Sequence, residues 1–240
     1  MHNARPLLSL IIPTLNERAA LPILYDRLLV VATTLNERGM ESELIFVDDG
    51  STDGTRETIK RLTKQQLPVR LIERTTRGLA TAVVTGLNAA HGTMLGVMDA
   101  DLSHPPELIP SLVEALASHE LVVASRHLPG GGVEEWPWHR KLFSDMATAV
   151  AQPLARSCTD PMSGFFFMRR SVIETVKLKP VGYKILLEIL VKGHFKTLTE
   201  IPYLFHNRNY GKSKLNGKVT LEYFWHLILL YSWKYTTSLH

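Results

Sequence analysis

Residues 44–55 read LIFVDDGSTDGT. The apolar run at 44–47 shows no period-2 alternation, so it reads as a strand covered on both faces. It stops at two carboxylates, Asp48 and Asp49, and at the turn formers Gly50, Ser51, Asp53 and Gly54, after which a polar helix is predicted over 55–64. The same grammar recurs on either side. Before it, a strand-like run at 7–12 ends in Pro13, Thr14, Leu15, Asn16 and Glu17. A helix follows, with Leu21, Leu24, Tyr25, Leu28 and Leu29 at i, i+3, i+4 spacing. After it come a strand at 69–72, a helix over 78–90, and a strand at 94–98 that runs into Asp99-Ala100-Asp101. Short apolar strands separated by helices of this length imply βαβ units and a mainly parallel central sheet flanked by helices, an α/β fold. Ligands of such sheets bind beyond the carboxyl ends of the strands. Three strand ends here carry acidic groups, and that edge is the candidate site.

The second half is less regular. Strands are predicted at 121–125, 163–168 and 196–201, and helices over 138–155 and 184–192. A glycine-rich segment at 129–132 and the aromatics Trp136 and Trp138 lie between the first of these strands and the first helix. Neither a repeat nor a linker interrupts the chain, and 240 residues suit one domain. The expected division is a catalytic domain over 1–215 and a C-terminal helix over 216–240. Ten of the thirteen residues at 221–233 are apolar or aromatic. As a helix they span roughly 20 Å, short of the ~30 Å hydrocarbon thickness, so they are not expected to cross a bilayer. Their Tyr and Trp content, with Lys214, Lys218 and Lys234 nearby, fits an interfacial helix. It fits equally a helix packed on the core or on another protomer.

Apolar residues make up 45% of the chain and charged residues 21%, both ordinary for a globular protein, and no long segment is polar enough to argue for disorder. The formal net charge of +4 suits an anionic ligand or an anionic membrane face. Lys and Arg are spread along the chain rather than gathered in a stripe with interleaved aromatics, so nucleic acid is not an expected partner. The single cysteine, Cys158, makes no internal disulfide. The run at 7–12 is too short for a secretory signal, and a cytoplasmic protein is the expectation.

Asp99 and Asp101 are the sharpest chemical feature. Two carboxylates one residue apart at a strand end reach a divalent ion from one loop while Ala100 points away. Mg2+ and Mn2+ take few protein carboxylates and complete their shells with water and phosphate oxygens. A metal so held neutralises a leaving diphosphate. The plainer reading is that both residues cap a helix starting near Pro105 and Pro106. Within 47–55, Asp53 reads as a helix N-cap, while Asp48 and Asp49 suit a base edge or ribose hydroxyls. No Gly-Lys-Ser/Thr follows, so the string is not a P-loop. His104 has no second His at ligand spacing and reads as a loop or capping residue.

IPTLNE at 12–17, VDDGSTDGT at 47–55 and DADLSHPP at 99–106 resemble the successive signatures of family 2 glycosyltransferases with the glycosyltransferase-A type fold. DADLSHPPELIP is especially similar to dolichol-phosphate mannosyltransferases. Ser125-Arg126, the glycine-rich segment leading to Arg140, Ser163-Gly164-Phe165-Phe166, Gly182-Tyr183-Lys184, and Arg208 before Gly211-Lys212-Ser213-Lys214 agree with this. The resemblance therefore covers residues 7 to 215. It implies a metal-dependent, inverting transfer of mannose from GDP-mannose to a polyprenyl phosphate at the cytoplasmic face of a membrane. That membrane is met peripherally, through a partner chain or through a further C-terminal segment.

The resemblance also implies roles. Pro13, Asn16 and Glu17 line the nucleotide pocket, and Asp48 and Asp49 hold base and ribose. Asp99, Ala100 and Asp101 address the metal and the sugar diphosphate, with Ser103, where some relatives carry Gln, as a further metal-side ligand. Arg126 and Arg140, with Ser144, grip the acceptor phosphate. Lys184, Arg208 and Lys214 close over the diphosphate or acceptor phosphate, and Arg126 and Arg208 join Asp99 and Asp101 as catalytic groups. The cations have a physical reason, because donor diphosphate and acceptor phosphate repel and guanidinium forks bind phosphate bidentately. An acceptor that is already anionic needs no general base. Three rival readings remain open at this point: a UDP-glucose-dependent polyprenyl-phosphate glucosyltransferase, a transferase to a sugar hydroxyl, and a non-catalytic nucleotide-sugar-binding protein. The second needs a carboxylate base, for which Asp145, Asp160 and Glu188 are candidates.

Overall fold

The computed structural model describes residues 7–134, 138–155, 158–179, 181–182, 184–207 and 217–237, with only the backbone of 139–141, 143, 217–220 and 237. Along the chain run β1 (Leu7–Thr14), α1 (Leu21–Glu37), β2 (Glu41–Asp48), α2 (Thr55–Leu62), β3 (Val69–Glu73), α3 (Leu79–Ala89), β4 (Met94–Val97) and α4 (Ile109–Ala115). The second half adds β5 (Leu121–Ser125), β6 (Gly132–Val133), α5 (Trp138–Ala151), β7 (Phe166–Arg169), α6 (Ile185–Lys192), β8 (Leu198–Pro202), β9 (Leu204–Phe205) and α7 (Gly217–Thr237).

Seven strands form the central sheet in the order β3-β2-β1-β4-β7-β5-β8, and β6 pairs with β9 apart from it. All of its pairings are parallel except those of β7, which runs antiparallel to both β4 and β5. The sheet is therefore mainly parallel, as the continuous apolar runs predict. Their residues are almost all buried in β1, β2 and β5, while β3 at the edge is only partly covered. Within β1 and β2 the polar exceptions satisfy one another: Ser9 Oγ donates to the buried Glu43 at 2.6 Å.

Helix α1 shows how the flanking layers are built. Pro22 suits its first turn. Leu21, Leu24, Tyr25, Leu28, Val31, Ala32 and Leu35 form one apolar stripe against the sheet. At the centre of the sheet, Gly96 on β4 lies under Phe167 of β7. A Cβ there would meet the ring at 2.4 Å, so only glycine lets this aromatic cover the strand.

This topology gathers chain ends at one edge. β1, β2, β4, β5 and β8 all finish there: Thr14 pairs with Asp48, Ser125 with Pro202, and Val97 lies opposite Phe166 at the start of antiparallel β7. The connections also diverge to either side between β1 and β4, where open sheets place their ligand crevice.

Helix α7 packs on α5 and α6 through Tyr223, Leu227 and Leu230. The Tyr223 hydroxyl donates to the Ala147 carbonyl at 2.6 Å, and Tyr231 to that of Val150 at 2.9 Å. Beneath it lies a buried polar pair: His226 Nε2 is 3.8 Å from Glu188 Oε2, and Glu188 also takes the Lys192 ammonium and the Lys179 N–H. Burial lowers the pKa of His226; Glu188 opposes that and Lys192 reinforces it. The folded protein thus resists a proton that the unfolded chain accepts below about pH 6.5. Stability is expected to fall as the pH drops from about 6.5 toward the lowered folded value. In His226→Leu, urea unfolding followed over pH 5 to 7 is expected to lose that part of the slope.

Candidate active site

The first wall of the site consists of two stitched loops. Asn16, at a left-handed φ of 58°, accepts the Thr52 N–H on Oδ1 at 2.9 Å, and its own N–H donates to Ser51 Oγ at 2.9 Å. The Glu17 N–H donates to Thr55 Oγ1 at 2.9 Å. Pro13 is buried on β1 and Glu17 is nearly so, while Asn16 is exposed. The three predicted pocket residues therefore lie together, held against the loop that follows β2.

Asp48 and Asp49 are both anchored by donors of the protein. Asp48 is fully buried, and its Oδ2 accepts the N–H groups of Gly50 and Ser51 at 3.2 and 3.1 Å and the Arg56 guanidinium. Burial pushes its carboxyl up, but the bonds from Ser51 and Arg56 outweigh that and hold it below the usual range. Asp49 is 6% exposed. It accepts Arg74 Nη1 on one oxygen at 2.7 Å and the Gly78 N–H on the other at 2.6 Å. Protein donors engage both oxygens of Asp49 but only one of Asp48, whose buried Oδ1 has no hydrogen-bond partner among the described residues. Asp53 is not the N-cap of α2: Gly54 holds that position at φ 94°, and Asp53 accepts from Thr55 and Arg18 just before it. Arg56 and Arg74 escaped sequence reasoning because nothing local links them to acids eight and twenty-five positions away.

The second wall is the turn after β4. Ala100, Asp101 and Ser103 are buried and Asp99 is half-buried. The Ser103 N–H and hydroxyl both donate to Asp101 Oδ1, at 3.1 and 2.5 Å. Ser103 therefore orients the Asp101 carboxylate. Leu102 adopts a left-handed φ of 65°, an uncommon conformation for a branched side chain that closes the turn. His104, stacked on Phe165 with centroids 5.1 Å apart, accepts the Asp99 N–H on Nδ1 at 3.1 Å. That is a loop role, as its lone spacing suggests.

Cations line the third wall. Arg126, just past β5, is fixed by Asp160: its N–H, Nε and Nη2 donate to the Asp160 carboxylate at 3.0, 2.7 and 2.7 Å. Both groups are buried, and the guanidinium lies 5.8 Å from the Phe205 ring centroid. Burial alone would raise the Asp160 carboxyl, yet Arg126 holds it below its ordinary range. The Arg126 fork is thus held by Asp160 through Nε and Nη2. Lys184, at the start of α6, donates to the Met162 carbonyl at 2.8 Å. Ser144 is half-buried on α5. The Arg140 side chain, Arg208 and Lys214 lie outside the described residues.

One segment joins the second and third walls. Between Asp160 and Phe165 the chain carries the partner of Arg126, the acceptor for Lys184 and, at Gly164, a backbone pressed against Asp99. A Cβ on Gly164 would sit 3.3 Å from Asp99 Oδ2 and 3.2 Å from His104 Cε1. The candidate bases are also located: Asp160 is paired, Glu188 is buried beneath α7, and Asp145 is exposed on α5.

The residues fit a divalent cation of the hard, oxygen-seeking kind. Among the described residues no three His, Cys, Asp or Glu side chains converge, so the protein alone builds no closed cage. Asp99 and Asp101 instead supply hard oxygens from one turn. That suits an ion which fills its shell with phosphate oxygens and water.

Comparison with known proteins agrees with this arrangement. Residues 9–177 match Glycosyl transferase family 2. A dolichol-phosphate mannosyltransferase of Pyrococcus furiosus is 44% identical over 231 residues, which are 94% of this chain and 64% of that protein. The chain thus spans just under two thirds of that relative's length. A dolichol-phosphate mannosyltransferase of Saccharomyces cerevisiae is 39% identical over 237 residues, 95% of this chain and 88% of the other. Among solved structures, glucosyl-3-phosphoglycerate synthase from Mycobacterium tuberculosis superposes with a TM-score of 0.66 at 20% identity, covering 94% and 80% of the two chains. A mannosyltransferase from Pyrobaculum calidifontis in complex with GDP-Man and Mn2+ does so with a TM-score of 0.59 at 21% identity, covering 88% and 59%. With its glycosyltransferase-A type fold, its strand-end aspartates and these relatives, the chain belongs to glycosyl transferase family 2, among the dolichol-phosphate mannosyltransferases.

Proposed function

We infer that the protein transfers mannose from GDP-mannose to a polyprenyl phosphate with inversion at the anomeric carbon. The observation that carries this reading is the pairing of strand-end carboxylates, Asp99 and Asp101, with the buried cation Arg126 at the same edge of the sheet. Arg126 feels the charge of Asp99 as well as that of Asp160. Such an edge suits two phosphate groups brought together. Relatives that act on dolichol phosphate support the acceptor, and the GDP-Man complex of a structural neighbour supports the donor.

In this reading the loops of Asn16 and Ser51 seat the nucleoside, with Asp48 and Asp49 as their frame. Asp99 and Asp101 hold Mg2+ or Mn2+, which when bound neutralises the leaving diphosphate. Arg126 and Lys184 face the acceptor phosphate, joined by Arg140, Ser144, Arg208 and Lys214 from the resemblance. An acceptor oxygen forms the bond to the anomeric carbon while the bond to the diphosphate breaks, and GDP leaves with the electron pair. No proton moves, so no base is required. Of the three candidate bases, Asp160 and Glu188 are held inside the protein and Asp145 alone is exposed, on α5. Charge neutralisation and positioning supply the rate. Radiolabelled GDP-mannose and UDP-glucose offered in parallel test the donor: mannolipid alone is expected, and glucolipid alone would move the assignment to the glucosyl rival.

The proposal places the enzyme at the cytoplasmic face of a membrane, with 1–215 as catalytic domain and 216–240 as docking helix. Among the described residues no helix is long and apolar enough to cross a membrane. Helix α7 nonetheless exposes Leu221, Phe224, Trp225 and Ile228, and α5 beside it exposes Trp138, Leu142, Met146 and Val150 at four-residue spacing. Such a face fits the boundary of headgroups and acyl chains. Fully burying side chains of this kind contributes about 1.5–3 kcal/mol each. Trp225→Glu with Ile228→Glu is therefore expected to weaken co-sedimentation with anionic vesicles by at least about tenfold. Unchanged sedimentation would assign the face to another partner.

A further inference from the structure

Beneath the segment that joins the second and third walls lies Glu200, on β8. Its carboxylate gathers four donors from three successive residues: the Thr159 N–H at 2.7 Å, the Thr159 hydroxyl at 2.8 Å, the Asp160 N–H at 3.1 Å and the Cys158 thiol at 3.6 Å. The Thr159 hydroxyl also pairs with Ser125 Oγ at 2.9 Å, tying the same point to the residue before Arg126. Asp160 is fully buried and meets Arg126 through three bonds. Among the described residues no other carboxylate collects consecutive backbone N–H groups from the connection leading to β7.

The geometry points to Glu200 and Asp160 as positioning residues for the acceptor phosphate. Glu200 fixes the 158–160 turn, the turn fixes Asp160, and Asp160 sets where the guanidinium of Arg126 stands relative to Asp99. This deepens the proposed function and rests on its reading of Arg126 as an acceptor-side group. The physical case is one of acceptor count. A carboxylate accepts from all four donors, whereas an amide of the same shape keeps one acceptor oxygen and turns an NH2 toward N–H and O–H donors. Glu200→Gln therefore expels the turn by a small distance without opening a cavity. Small misplacements of a positioned group are costly to a reaction that depends on alignment.

The test is steady-state transfer by the full chain with Glu200→Gln, varying polyprenyl phosphate and GDP-mannose separately. Thr159→Ser is the conservative variant that keeps the hydroxyl, and Arg126→Gln the reference. The expected result is a KM for polyprenyl phosphate raised about tenfold in Glu200→Gln, an unchanged KM for GDP-mannose, and near-normal behaviour of Thr159→Ser. A lowered melting temperature with both KM values intact would overturn the inference, as would equal rises in both. If Arg126→Gln raises the acceptor KM and Glu200→Gln does not, the relay is wrong and the reading of Arg126 stands. If Arg126→Gln leaves the acceptor KM unchanged, that reading fails and takes the relay with it.

Discussion

Asp101→Ala is expected to lower the rate of mannose transfer by about 10³-fold or more at saturating substrates, the scale reached when transition-state charge loses its stabilising partner. Asp101 is buried beneath the turn, 3% exposed, and Ser103 directs two donors at a single one of its oxygens. That arrangement holds the carboxylate in one rotamer. Removing it takes away half of the hard-oxygen set at the β4 end, and negative charge building on the leaving diphosphate loses its counter-ion. The cost to the fold is an unsatisfied Ser103 N–H and hydroxyl, about 1–3 kcal/mol each, so the rate is compared on protein whose thermal unfolding shows it folded at the assay temperature. Mn2+ binding followed by electron paramagnetic resonance in the presence of GDP-mannose should fall with activity. Activity within tenfold of the parent would remove Asp101 from the metal-side role.

The second large effect concerns stability. Asp160→Ala leaves the buried Arg126 guanidinium without its partner, and breaking a buried ion pair from one side costs about 3–5 kcal/mol. For a chain of this length that lowers the melting temperature by on the order of 10 °C. The pH dependence has a definite sign. Arg126 holds the Asp160 carboxyl below its unfolded value, so the contribution is complete above about pH 4 and is lost as pH falls through the lower folded value. The gap in stability between parent and variant is therefore expected to be full at neutral pH and to close in acid. Thermal denaturation at pH 7 and pH 3 measures it. A constant gap would mean that Asp160 stabilises by packing and not by charge.

The sheet was legible because its strands are buried on both faces. The runs at 7–12 and 44–47, with the polar residues that end them, define parallel strands and a ligand edge without reference to anything distant. The Asp99–Asp101 turn was legible for the same reason, since its chemistry is local. What escaped is non-local. Glu200 and Thr159 are far apart in sequence and ordinary in composition, and only the register of β8 on β5 brings them together. The same holds for the bonds of Arg56 to Asp48 and of Arg74 to Asp49. Asp160 was considered as a base because a lone acid carries no sign of its partner, and the partner is a cation read as a phosphate grip. The reversed direction of β7 also had no local signature. It follows from the long excursion between β5 and β7, which contains α5.

Central to the account is an acceptor that arrives already ionised, meets the positive charge of Arg126 and needs no base, the nearby Asp160 being tied to that guanidinium. The most direct test offers the same enzyme and GDP-mannose two lipids that differ in one group, a short polyprenyl phosphate and the corresponding polyprenol, and measures organic-extractable mannolipid. The account expects product from the phosphate, with a rate flat between about pH 7 and 8.5, where the acceptor carries its charge and no base has to titrate. Mannosylated polyprenol formed at a comparable rate would contradict it, because that product requires a general base.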